Sequence, residues 1–130
     1  MTIELINPEG LSQPPTYSHV ALASGTRLVF VSGQVGFDSE GSLVGDDHVT
    51  QAEQAYRNVA TAVEAVGGTV QDVARLTIYV VGHGPELVEP LRAAREAVFG
   101  DHKPASTFLG VEKLIRPELL VEVEAVAVLD

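Results

Sequence analysis

Glu122 and Glu124 lie two residues apart in an apolar, β-branched run spanning residues 119–128. Strand side chains alternate between faces, so the two carboxylates point the same way. Leu120, Val126 and Val128 share that face, while Leu119, Val121, Val123, Ala125 and Ala127 fill the other. A strand apolar on both faces is normally covered on both sides. Carboxylates on a covered face need a partner, a neighbouring chain or a wet site, because unpaired buried charge is costly. The pair therefore lines either a site that handles protons or a solvated edge or subunit seam. Tyr17, the Ser32-Gly33 turn and the Ser106-Thr107 pair add hydroxyls and backbone donors to this carboxylate chemistry.

Other chemistries find little support. The chain has no cysteine, which removes thiolate catalysis, disulfides and cysteine-ligated metal. His19, His48, His83 and His102 never pair at i, i+4; no metal is expected, and they read as loop or surface histidines. No phosphate loop, dinucleotide fingerprint or serine-hydrolase elbow occurs. A net charge of −10, from 8 basic and 18 acidic residues, repels a phosphate polymer, so no nucleic-acid partner is expected. The densest basic cluster is Arg92 with Arg95. No apolar run of about 18 residues suggests a membrane span, and the N-terminus lacks the pattern of a signal peptide. A cytoplasmic location is the expectation.

The elements that would position these groups follow from periodicity. At 130 residues with 45% hydrophobic content, the whole of 1–130 is expected to form one domain around one core. Pro8, Pro14 and Pro15 mark residues 7–18 as a loop or extended arm. Residues 20–23 and 28–31 read as strands of a hairpin turning through Ser24-Gly25-Thr26-Arg27, with Gly25 free to take positive φ. Asp46 or Asp47 caps a helix whose apolar residues recur from Val49 to Val66 at helical spacing, stopped by Gly67-Gly68. Val73–Val81 reads as a strand, residues 86–99 as a second helix with Leu87, Leu91, Ala94 and Val98 buried, and Ala105–Val111 as a strand before that of Glu122. The order predicts an α+β layer, one mixed sheet covered by two helices. The second sheet face has no helices left to cover it, and a closed oligomer is the simplest solution.

Four motifs in order and spacing resemble the reactive-intermediate deaminase family (RidA, or YjgF-like): Tyr17-Ser18-His19, residues 29–36 around Ser32-Gly33-Gln34, Pro104-Ala105-Ser106-Thr107, and residues 121–127 around Glu122. The resemblance spans nearly the whole chain. It implies a chorismate-mutase-like fold, a homotrimer with small-molecule clefts between subunits, and hydrolysis of imines and enamines such as 2-aminoacrylate without a cofactor. It places a ligand-side tyrosine at Tyr17, a backbone-contact turn at Ser32 and Gly33, and a water-orienting catalytic glutamate at Glu122, with Ser106 and Thr107 on the substrate side and Glu124 in a structural contact.

The chain departs from the pattern at Ser106. Deaminating members carry arginine there, forked onto the substrate carboxylate, and serine supplies neither the charge nor the two-pronged donor. Losing such a contact costs about 1.5–3 kcal/mol, roughly tenfold or more in binding 2-imino acids. Arg92, where the family often has asparagine, could return a cation from the helix or stand as a solvated arginine. Two functions follow: an imine or enamine hydrolase, or a metabolite-binding trimer without deaminase activity on 2-imino acids. Ribonuclease activity, attached to relatives, fits poorly with the acidic balance.

Overall fold

The structure, a computed structural model, describes residues 2–130. In chain order the elements are β1 (Thr2–Ile6), β2 (Val20–Ser24), β3 (Arg27–Gln34), α1 (His48–Ala65), β4 (Val73–Val81), α2 (Val88–Phe99), β5 (Ala105–Val111) and β6 (Val121–Leu129), with 3-10 turns at Val70–Asp72 and Pro85–Leu87. Four strands form a mixed sheet ordered β3-β6-β4-β5; β4 and β5 run parallel and the other pairs antiparallel. The last strand of the chain thus lies between β3 and β4. That interior position accounts for its length and its apolar content.

Both helices pack on one face of the sheet. Ala52, Ala55, Tyr56, Val59 and Val63 of α1 and Leu91, Ala94 and Phe99 of α2 join Leu76, Ile78 and Val80 of β4 and Val121, Val123, Ala125 and Ala127 of β6 in the core. Tyr56 and Phe99 meet edge to face, with centroids 5.7 Å apart. Asp47 is the cap of α1: its side chain accepts from the Thr50 N–H at 2.9 Å, and this bond holds its carboxyl below the usual range. The helix ends as expected at Gly67, whose φ of 94° favours glycine, with the Gly68 N–H bonded to Val63 O.

The expected hairpin is wrong. β2 pairs with β1, forming a separate two-stranded ribbon, while β3 pairs with β6. Gly25 serves close approach and does not take positive φ. A Cβ there would sit 2.5 Å from Leu129 O, beside the bond from Thr26 N–H to the same carbonyl at 2.8 Å. Two histidines are also more than loop or surface residues. His102 is buried and its Nε2 donates to Val73 O at 2.7 Å, and the His48 Nε2 donates to Val81 O at 2.7 Å.

Gln51 ties α1 to the segment that leads into β6. It is fully buried; its amide donates to Gly45 O and Glu118 O, both at 3.0 Å, and its carbonyl accepts from Leu120 N–H at 2.8 Å. Gln51→Leu would keep the volume and remove the side-chain partner of three part-buried backbone groups. With water able to reach part of that set, the fold is expected to lose about 1–3 kcal/mol, the cost of one unsatisfied buried group. Urea unfolding should show a lower midpoint with an unchanged slope.

The far face of the sheet carries Leu28, Phe30, Thr77, Tyr79, Glu122 and Glu124, by strand alternation and register. No helix covers it. Leu28 and Phe30 are 64% and 73% exposed, an apolar strip beside Val126 and Val128. No helix among the described residues is long and apolar enough to cross a membrane.

Candidate functional site

The sequence-predicted residues fall into two groups. Tyr17, Arg92, Ser106 and Thr107 line one cavity of about 510 Å³. Thr16 and Tyr17 reach it from the N-terminal arm, Tyr56 from α1, Ile78 from β4, Leu91, Arg92 and Arg95 from α2, and Phe108 from β5. The arm is docked on the start of β5. Ser18 forms an isolated parallel bridge with Ala105, its hydroxyl donates to Lys103 O at 2.7 Å, and the Lys103 ammonium donates to Pro15 O at 3.1 Å. This holds Tyr17 at the cavity, with its ring edge-on to His19 at 5.4 Å.

Ser106 registers with Leu76, and Phe108 with Ile78, so Ser106 belongs to the helix side of the sheet. Its hydroxyl donates to Pro104 O at 3.0 Å. Thr107 belongs to the far face, where its hydroxyl accepts from Arg75 Nη2 at 2.6 Å. Arg92 is engaged by carboxylates of its own helix, pairing with Glu89 and lying 3.7 Å from Glu96. Its Nε is buried without a partner. Arg95, which sequence reading noted only as part of a basic pair, is 6% exposed and shares this cavity. Burial pushes its pKa down, yet guanidinium stays protonated. The signal was present in its position: Arg95 follows Leu91 by four residues and falls on the helix's buried stripe.

The second group surrounds Glu122. The pairing of β3 with β6 shifts register between Val31 and Gln34, so the Ser32-Gly33 segment bulges beside Glu122. A Cβ on Gly33 would lie 2.7 Å from Glu122 Cδ; only glycine lets the carboxyl lie against this turn. Glu122 and Tyr79 are register partners, and the Tyr79 hydroxyl donates to Glu124. That bond, first among its causes, raises the Tyr79 pKa and keeps the phenol a donor. Burial, and then the Glu124 charge, raise the Glu122 pKa. A carboxyl so placed can accept a proton from water and return it.

Within one chain the two groups do not meet. β5 and β6 are separated by β4, a span of about 10 Å across two ladders, and Ser106 and Glu122 lie on opposite faces. Glu124 has a structural partner in Tyr79, while Glu122 is the carboxylate packed on the Ser32-Gly33 turn.

Comparison with known proteins agrees with this architecture. The family described as Endoribonuclease L-PSP matches residues 11–129. A 2-iminobutanoate/2-iminopropanoate deaminase of Salmonella typhimurium is 33% identical over 104 residues, 78% of this chain and 79% of that protein. A RutC family protein of Pyrococcus horikoshii is 29% identical over 95% of this chain and 96% of its own length. Among solved structures, YyfB of Yersinia pestis, described as a protein of unknown function of the conserved Rid family, superposes with a TM-score of 0.92 at 35% identity, covering 99% of this chain and 100% of that one. The Escherichia coli YjgF product gives a TM-score of 0.70 at 28% identity, covering 88% of each chain. With two helices packed on a mixed sheet and a family match running from the N-terminal arm through β6, the chain belongs to the RidA/YjgF family, whose family description is Endoribonuclease L-PSP.

Proposed function

We propose that the protein is a homotrimer that binds a small molecule in clefts between subunits and hydrolyses its imine or enamine group to a carbonyl compound and ammonia. The observation that carries this reading is the division of the site. Glu122 with the Ser32-Gly33 turn lies on the uncovered face, beside exposed Leu28 and Phe30, while Tyr17 and Ser106 line a cavity on the helix side. A neighbouring subunit laid on the uncovered face buries the apolar strip and brings its own cavity to Glu122. The relatives named as iminobutanoate and iminopropanoate deaminases support the chemistry.

In this reading an enamine first tautomerises to its imine. Glu122 carboxylate orients a water and takes its proton as the oxygen adds to the C=N carbon. The nitrogen gains that proton, giving the carbinolamine. Glu122 then takes the carbinolamine O–H proton and passes it to the nitrogen, the C–N bond breaks, and ammonia leaves as the C=O bond forms. Imine plus water thus gives carbonyl plus ammonia, with no redox change and no cofactor. Backbone groups of Ser32 and Gly33 and the hydroxyls of Tyr17 and Thr107 serve the substrate.

Ser106 favours a second reading for the smallest substrates. It stands where the deaminating relatives are expected to carry arginine, and a binding trimer inactive on simple 2-imino acids would need no such fork. The net charge of −10 speaks against an RNA substrate in either case. The experiment is ammonia release from 2-imino acids generated in situ, on protein sized by light scattering. The expected particle is about three times the 13.8 kDa chain, with accelerated release from part of the panel and weak action on 2-iminopropanoate. A trimer that accelerates nothing would leave the binding-only reading; a monomer would remove both.

A further inference from the structure

We propose that Arg95 of α2 is the anchor of an anion site in the helix-side cavity, and that the site takes the carboxylate of an organic acid with a bulky apolar body. The inference deepens the proposed function, on which it rests for the reaction, by naming a ligand class. Binding can be measured without turnover, so the two readings fail separately.

The first observation is an unpaired cation. Arg95 is 6% exposed, and its Nε and Nη2 are buried with no hydrogen-bond partner. No ion pair joins Arg95 to a carboxylate among the described residues. The glutamates of α2, Glu89 and Glu96, are engaged by Arg92. A buried, unpaired guanidinium is costly, and an apolar residue of similar volume would stabilise the same helix stripe. Its retention in an otherwise apolar arc calls for an anion brought from outside. Arg92, with a buried and unpartnered Nε in the same cavity, supplies a second donor.

The second observation is room. Ser106 stands on the cavity wall with a short side chain whose hydroxyl is turned to Pro104 O. An arginine in its place would put a third guanidinium beside Arg92 and Arg95 and take up part of the space. The absence of that side chain and the presence of Arg95 fit one arrangement, in which the cation comes from the helix and not the strand. The third observation is the wall. Ile78, Val88, Leu91 and Phe108 give the cavity apolar sides. A volume of about 510 Å³ falls in the range that holds drug-sized ligands, well beyond the needs of a three-carbon acid. An aromatic or branched 2-imino acid, or its 2-oxo product, matches a planar carboxylate at one end and a large apolar group at the other. The forked geometry of guanidinium suits that carboxylate.

Titration calorimetry with phenylpyruvate, pyruvate and inorganic phosphate tests the proposal on the intact oligomer. Phenylpyruvate should bind at least tenfold more tightly than pyruvate or phosphate. Arg95→Met should weaken phenylpyruvate at least tenfold while the thermal midpoint holds or rises, because a buried unpaired charge has been removed. A purely structural arginine would give the reverse: a lower midpoint and unchanged affinity. Unchanged affinity in Arg95→Met, or phosphate binding as tightly as phenylpyruvate, overturns the proposal. Should Arg95→Met fail to fold, arginine side-chain NMR on the unmodified protein decides. Phenylpyruvate should shift the Arg95 Nε–H signal, assigned with Arg95→Lys, and an unmoved signal at saturation overturns it.

Discussion

Glu122→Gln should lower ammonia release from the preferred imine by about 10²–10⁴-fold, the range that a positioned acid–base group supplies, while assembly and phenylpyruvate affinity stay close to those of the unmodified protein. The amide keeps the shape of the carboxylate against Gly33, whose absent Cβ makes the contact possible, but it cannot take a proton from water. The pH profile carries a second readout. Glu122 titrates above the usual value of 4.5, because burial and the nearby Glu124 charge both disfavour its ionised form. Activity that needs the carboxylate is present above the raised pKa and is lost as pH falls through it, so the acidic limb of the profile should lie above 4.5. In Glu122→Gln that limb should disappear along with the rate. A residual rate within threefold of the original, with the limb intact, would assign the proton transfer elsewhere. Glu124→Gln should act more mildly, since Glu124 is held by Tyr79 in a contact within the sheet.

Much of this arrangement was legible before the structure, where local pattern and final packing agree. β4 and β5 begin and end where alternation places them, and α1 starts after its aspartate cap and stops at Gly67. The two faces of β6 divide as alternation requires, with Val121, Val123, Ala125 and Ala127 in the core. The errors came from long-range geometry. Ser24-Gly25-Thr26-Arg27 has hairpin chemistry, but Gly25 is needed because β6 passes beside it, and nothing local to residues 20–31 announces a strand about a hundred residues away. β1 carries only one short alternation in Thr2–Ile6, too little to stand out as the partner of β2.

The site was half legible for similar reasons. Tyr17, Ser106 and Thr107 do share a cavity, and Ser32-Gly33 does adjoin Glu122, yet alternation alone could not show that Ser106 and Glu122 occupy opposite faces. For Arg92 the pattern leaves open a returned cation or a solvated arginine; it lines the cavity with its charge engaged by Glu89 and Glu96. Arg95 stands in no motif of the sequence, where it shows only as half of a basic pair. Its spacing from Leu91 pointed inward, and only packing decides between a guanidinium that snorkels outward and one that stays buried. His83 is the exposed loop histidine that its surroundings predict, and it also lines the cavity, with its ring 5.0 Å from Phe108.

The central claim is that catalysis needs Glu122 from one subunit and the helix-side cavity of its neighbour. Subunit mixing tests it most directly. Glu122→Gln and Arg95→Met, each assayed alone on the preferred substrate well below saturation, should each lose at least tenfold in activity. Unfolded together in equal amounts and refolded, they assort into mixed trimers. A cleft that draws its two halves from different chains receives both unmodified halves in about a quarter of cases, so the mixture should recover about a quarter of the original activity. If native mass spectrometry shows mixed trimers and the mixture stays as inactive as its parents, the site lies within a single subunit and the account is contradicted.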